Sequence, residues 1–292
     1  MIGLHTDMDA ATYHADPCPA PSLNHGCARL MLRSPLHAWK AHPRLGNLTK
    51  RTGSGITNIG SAAHALTLGR GAALARIDCD NYRTKEAQNA RDAAYAQGFV
   101  PLLTKEYEVA AAMAAIARPV IIEEMGADFL PEAVAIARDE HGSYARIMSD
   151  AMTPDLRVVL DFKTADSAEP EAFAQRIRND YTTQAAFYCF VLDQLDPEGI
   201  GRRRFFFCAQ ERDCPEAITF HELDPAQMEI AAKQMERARA KWAVCLKTNR
   251  WPPYDRGPHV VSPRPWEIEA EMNRQYEDDK AASLADLAGM GL

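Results

Sequence analysis

Two aspartates and a lysine carry the most legible chemistry in this sequence: Asp150 and, eleven residues on, Asp161-Phe162-Lys163. Each lies in a short, mostly apolar run, 145–151 and 157–164. Between the runs, Thr153-Pro154-Asp155 is a turn sequence, because proline fixes φ and Asp bonds its own backbone. A turn centred between Asp155 and Leu156 sets Asp150 opposite Asp161, with Cβ atoms about 4.5–5.5 Å apart. Alternation places Asp161 and Lys163 on one face, Leu160 and Phe162 on the other. Two carboxylates that close repel unless one holds a proton or a cation lies between them. Mg2+ suits the gap, being a hard ion that takes oxygen ligands and keeps several waters. It lowers the pKa of a bound water and stabilises charge on a phosphate. Lys163 would then orient or deprotonate that water, or offset charge on the phosphorane. The competing explanation is a surface hairpin with an Asp–Lys salt bridge, because D-x-K is a common triplet.

Other elements must bring partners to this hairpin. Ser61–Leu68 reads as a tightly packed helix with Gly69 as its C-cap, and it carries His64 among alanines and leucines. His64 is either a core histidine or a ligand. Glu132 begins a strand over 131–138, with a turn at 139–142, and is either a further ligand or an edge carboxylate; Glu123 and Glu124 are weaker rivals. In a regular strand Arg146 shares a face with Asp150. After the hairpin comes a helix over 169–180 with Phe173 and Ile177 inward. Tyr181, Gln184 and Tyr188 then fall on one stripe of a second helix, either a packing face with polar tips or a set of substrate contacts.

The remaining pattern is that of a globular α/β chain. Residues 1–12 carry little signal and are expected to be mobile. A helix capped by Ser22 or Asn24 presents Leu23, Cys27, Leu30 and Met31 and ends near Ser34-Pro35. Thr52–Gly60 is Gly- and Ser-rich and reads as a loop. A polar-faced helix follows Tyr82-Arg83-Thr84-Lys85. Thr104 caps a helix over 105–117 that Pro119 should stop, with a second helical stretch over 120–129. Residues 202–210 form a buried strand paired with 217–223, and Asp224-Pro225 starts a helix to about Thr248. From about Tyr276 the chain reads as a polar tail.

Composition sets limits. A chain of 292 residues, 47% apolar and 25% charged, is ordinary for a globular protein. No run approaches the ~20 apolar residues of a membrane span. The N-terminus lacks the basic flank and apolar block of a secretory signal, so a cytoplasmic protein is expected. Seven scattered cysteines argue against a disulfide framework, and no C-x-x-C accompanies Cys208 and Cys214, so no iron–sulfur cluster is expected. The net charge of −7 counts against nucleic acid as a partner. Local basic groups at Arg29, Arg33, Lys40, Arg44, Lys50, Arg51 and 202–204 offset that argument.

Asp150…Asp161-Phe162-Lys163 resembles the PD-(D/E)xK nuclease signature, and Gln184…Tyr188 resembles the QxxxY helix of RecB-like nucleases. In order with the Ser34-Pro35 step, the G-x-A-x-H-like setting of His64, Trp251-Pro-Pro-Tyr254 and Pro263–Trp266, residues 13–270 resemble RecE-type (exodeoxyribonuclease VIII-like) phage and prophage exonucleases. The resemblance implies a restriction-endonuclease-like core, with a mixed, mainly antiparallel sheet flanked by helices. One nuclease domain would span 1–292: an entry segment to 52, a catalytic core over 53–270 and a mobile tail over 276–292. His64, Asp150, Asp161 and the Phe162 carbonyl would hold Mg2+, and a mixed site of this kind would also admit Mn2+. Lys163, Gln184, Tyr188 and Glu132 would serve the reaction. Arg29, Arg33, Arg83, Lys85 and Arg146 would meet DNA. The implied activity is a 5′-to-3′ exonuclease on double-stranded ends, in a ring-shaped homo-oligomer, leaving 3′ single strands for an annealing protein. A single-strand or structure-specific nuclease, a non-catalytic end-binding protein and a small phosphoester hydrolase are the alternatives.

Overall fold

The computed structural model describes residues 1–46 and 55–289, so Lys50 and Arg51 lie outside the described residues. The chain divides into two units, Met1–Pro253 and Tyr254–Leu292. The first unit opens with β1 (Gly3–His5), α1 (Ala10–Ala15), α2 (His25–Arg33), α3 (Pro35–Ala41) and α4 (Gly55–Leu68). β2 (Leu74–Ile77), α5 (Lys85–Ala96), β3 (Val100–Leu103) and α6 (Thr104–Met125) follow. Then come β4 (Leu130–Arg138), β5 (Tyr144–Met152), β6 (Val158–Ala165), α7 (Pro170–Asp180) and α8 (Thr182–Leu195). β7 (Arg204–Glu211), β8 (Ile218–Glu222) and α9 (Pro225–Thr248) complete the unit. The second unit contains α10 (Pro265–Gly289).

Six strands form one sheet in the order β1-β4-β5-β6-β7-β8, antiparallel except for the parallel β6–β7 pair. β2 and β3 form a separate parallel pair. This is the expected mixed, mainly antiparallel sheet with flanking helices. One face packs Ala133, Ala135, Ala137 and Ile147 against Phe187 of α8, Met31 of α2 and Trp242 of α9. The other packs Leu160, Phe162 and Cys208 against Leu68 of α4 and Ile121 and Met125 of α6. Helix starts follow local chemistry. Asn24 accepts from the Cys27 N–H, Thr84 from Ala87 and Asp224 from Gln227, each satisfying a donor that the helix cannot.

Several expectations are corrected by the fold. Residues 1–12, expected to be mobile, supply β1 at the sheet edge and the start of α1. Helix α4 begins at Gly55, inside the expected loop. Pro119 does not stop α6, which runs through it. Ala115 and Pro119 are exposed, so the carbonyl that proline leaves unpaired can be solvated, while buried Ala117, Ile121 and Met125 hold the helix to the core. The polar stretch from about Tyr276 continues α10, which runs from Pro265 to Gly289.

Arg146 is the correction with most consequence for the site. Alternation puts it on the side of β5 that the N-terminal segment covers, and it is fully buried. Its guanidinium lies 3.2 Å from Asp16 Oδ1 and donates to the carbonyls of Tyr13 and Ser22 and to the Ser22 hydroxyl. It therefore braces the N-terminal segment on the sheet and does not face DNA. Burial alone would raise the Asp16 carboxyl, but the His42 hydrogen bond, the Arg146 charge and the Ser22 donors outweigh it and hold the pKa at about 2. Asp16→Asn leaves a buried guanidinium without its counter-charge, and urea unfolding at neutral pH should show a loss of about 3–5 kcal/mol. The Asp16 contribution is present above its unfolded value of 3.8 and disappears as pH falls toward about 2, so the gap between wild type and variant should close over that window.

Candidate active site

The site forms where the β-ladders fail. β5 pairs with β6 only at Ala151↔Leu160 and Met152↔Val159, which centres the turn between Asp155 and Leu156 as expected. Carried one step further, that register would set Asp150 against Asp161. The strands part instead, and Asp150 Oδ2 accepts the Phe162 N–H at 2.7 Å. The β4–β5 ladder also has a gap, pairing Pro131↔Ala151 and Ala133↔Ser149 but not the residues between them, Glu132 and Asp150. Glu132 has φ 47°, a left-handed conformation that costs a residue of this type about 1–3 kcal/mol.

Helix α4 brings His64 to this gap. Gly60 makes the approach possible: a Cβ there would lie 2.9 Å from Thr164 Oγ1 of β6. His64 Nε2 lies 2.9 Å from Asp150 Oδ1, and its Nδ1 lies 3.9 Å from Glu132 Oε1. Burial pushes the imidazole down, but Asp150, Glu132 and Asp161 together raise it above its ordinary value. Burial would raise Asp150 in turn, yet His64, Lys163 and the Phe162 N–H hold it below the usual carboxylate range.

Helix α8 fixes the other half. Gln184 Nε2 donates to Asp161 Oδ1 at 2.6 Å, and Lys163 Nζ lies 2.6 Å from Asp161 Oδ2. That Oδ2 is buried, and its close neighbour is the Lys163 ammonium. Burial and the neighbouring Asp150 raise the Asp161 carboxyl despite Lys163 and Gln184. Burial would lower Lys163, but Asp161 and Asp150 raise it, so it stays charged. Tyr188 donates to the Met148 carbonyl at 2.9 Å. It thus ties α8 to β5, and burial pushes its phenol well above the ordinary value.

His64, Glu132, Phe162 and Lys163 line one groove of about 610 Å³, with Asp150 and Asp161 bonded to its walls. Tyr181, Arg176, Arg212 and His14 line it too. Of these, sequence reasoning placed only Tyr181, as part of the α8 stripe. Arg29 and Arg33 line a second cavity of about 510 Å³ with His25, Asp180, Tyr181 and Gln184. Arg29 is ion-paired to Asp180 at 2.9 Å. His25 Nε2 lies 3.0 Å from Thr183 Oγ1, and burial with the Arg29 and Lys163 charges pushes its pKa down to about 4, so it is neutral at neutral pH. Arg83 and Lys85 are exposed at the start of α5.

The donor set fits a hard divalent cation. The donor types are those such an ion takes: Asp150 and Glu132 both lie against His64, and Asp161 lies against Lys163. Among the described residues no group of three or more His, Cys, Asp or Glu side chains is arranged so as to hold a metal ion. His64 and Lys163 occupy the carboxylates with ion pairs, so a metal would have to displace or share those contacts.

Comparison with known proteins bears on the fold and the family. The profile of the PDDEXK-like domain of unknown function (DUF3799) matches residues 57–257, more than half of the chain. The crystal structure of a protein from Eubacterium rectale described as "Putative exonuclease" superposes with a TM-score of 0.57 at 12% identity, covering 88% of this chain and 96% of that one. That likeness is one of fold. The protein SSO0001 gives a TM-score of 0.28 at 11% identity over 74% of this chain and 84% of its own, too low to carry an argument. No curated protein matches the sequence. The chain has the PDDEXK-like core and belongs to the DUF3799 family.

Proposed function

We propose that this protein is a divalent-metal-dependent deoxyribonuclease that degrades double-stranded DNA from its ends. The observation that carries the proposal is the Asp161–Lys163–Gln184 cluster beside Asp150, set in an open groove of a PDDEXK-like fold. His64 and the Phe162 N–H fix the Asp150 carboxylate, and Gln184 fixes that of Asp161. Both carboxylates then face one cation position, with His64 and the Phe162 carbonyl as further ligands and Glu132 in reserve. A bound Mg2+, or Mn2+ in its place, would polarise the scissile phosphate and acidify a water. Lys163 would orient or deprotonate that water, or offset charge on the phosphorane. Tyr188 holds β5 against α8 and thereby sets the distance between the two carboxylates.

The finer reading follows the resemblance to RecE-type exonucleases; the name of the Eubacterium rectale protein bears only on exonuclease action. It comprises 5′-to-3′ polarity, 3′ single-stranded products, a homo-oligomeric ring around duplex DNA, an annealing protein as partner and action in the cytoplasm. No helix among the described residues is long and apolar enough to cross a membrane.

Lys163→Ala should fold like the wild type by circular dichroism and lose cleavage by at least about 10²-fold; near-wild-type turnover would sink the assignment. Gln184→Leu strips Asp161 of its directed donor. It should lose about 1–3 kcal/mol in thermal or urea unfolding, together with most of the activity. Linear and covalently closed circular duplexes of one sequence, each incubated with Mg2+, Mn2+ or EDTA, test the reaction itself. Loss of the linear form alone, and only with metal, is the expected result. Cutting of the circle would make the enzyme an endonuclease, and binding without cleavage would make it an end-binding protein.

A further inference from the structure

Two cations flank the Tyr181 ring. Lys163 Nζ lies 5.1 Å from its centroid and Arg176 Cζ 5.8 Å. The ring itself is stacked on Phe207 of β7, with centroids 6.0 Å apart and planes at 29°, so it is a fixed platform. Arg176, Lys163 and Tyr181 line the same groove. Arg176 is exposed on α7, between the inward Phe173 and Ile177, and makes no ion pair among the described residues. The nearby Arg178 differs: it lies 2.5 Å from Glu171 and donates to Gln175. Arg212, the other guanidinium of the groove, is bonded to Asp166. Arg176 thus combines full charge, a preset position and donors left for a ligand.

We propose that Arg176, held on the face of Tyr181, is a phosphate-binding residue of this groove and contacts a DNA backbone phosphate beside the one that is cut. The proposal rests on the nuclease reading and names a binding residue within it. A planar guanidinium offers two parallel donors to a phosphate, which the ammonium of Lys163 does not. It also explains how a chain of net charge −7 holds DNA at its acidic site: the cation is local, and the carboxylates nearby are already paired with His64 and Lys163.

The test uses a fluorescein-labelled linear duplex, bound in EDTA over a range of salt concentrations and cleaved with Mg2+. Arg176→Gln should weaken binding about tenfold at low salt and reduce the salt slope by about one. It should raise KM by a similar factor while leaving kcat within about twofold. Arg178→Gln removes the same charge from the same helix outside the groove and should change neither slope nor KM. Tyr181→Leu should reproduce the slope change and also lower kcat, because Lys163 loses its platform. An Arg176→Gln protein with unchanged slope and KM overturns the assignment, as does one that loses kcat alone. If the wild type binds or cuts DNA while Arg176→Gln matches it, only the Arg176 assignment falls. If the wild type does neither, the nuclease reading falls with it.

Discussion

The structure depends on one exchange: at Asp150 a side-chain carboxylate stands where backbone ladder bonds would be. The β5–β6 ladder ends one residue before it, the β4–β5 ladder skips it, and the Phe162 N–H is satisfied by Asp150 Oδ2. A buried N–H left without a partner is costly, so the substitution is what allows the two central strands to part. Once they part, β5 needs another neighbour along 144–146. Leu23 provides it, accepting from the Arg146 N–H and donating to the Tyr144 carbonyl. The same separation that opens the groove therefore draws the N-terminal segment onto the sheet, where Asp16 and Arg146 lock it.

The charges around the groove are balanced in pairs rather than as a whole. His64 answers Asp150, and Lys163 answers Asp161. Neither pair is fully enclosed: His64 and Lys163 each keep about a quarter of their side chain exposed, at 25%. Pairing stabilises the carboxylates in the folded protein, while the exposed edge leaves them open to a competing cation and a phosphate. Glu132, in a left-handed backbone conformation, is a strained residue 3.9 Å from His64.

Much of this was legible in the sequence, because its determinants are local. Thr153-Pro154-Asp155 fixed the turn and hence the register of Asp150 and Asp161, and the four-residue spacing of Gln184 and Tyr188 put both on α8, with Tyr181 as its N-cap rather than within it. What escaped was decided by contacts distant in the chain. Arg146 is expected to share a face with Asp150, but nothing local reveals that residues 13–22 bury its guanidinium. Pro119 obeyed the rule for a helix stop only until Ile121 and Met125 found the core. Glycines near 55–60 read as loop because the benefit of Gly60 lies across the molecule, at Thr164. Arg176 carries no motif at all. It acquires meaning only when α7 brings it over Tyr181.

The alanines of the central strands have a consequence beyond packing. Ala133, Ala135, Ala137 and Ala145 share one buried cluster with Ala185 and Ala186 of α8, so small side chains make up much of the layer between helix and sheet. Gln184 and Tyr188 can then touch Asp161 and Met148 directly. The layer works as a spacer of fixed thickness, and its tolerance is set by the reach of a glutamine. A valine in place of one of these alanines would leave the core full and hydrophobic, yet it would lift the helix by a fraction of an ångström and detune the reactive cluster. At these positions drift among small apolar residues is therefore limited by chemistry at the groove sooner than by the stability of the fold.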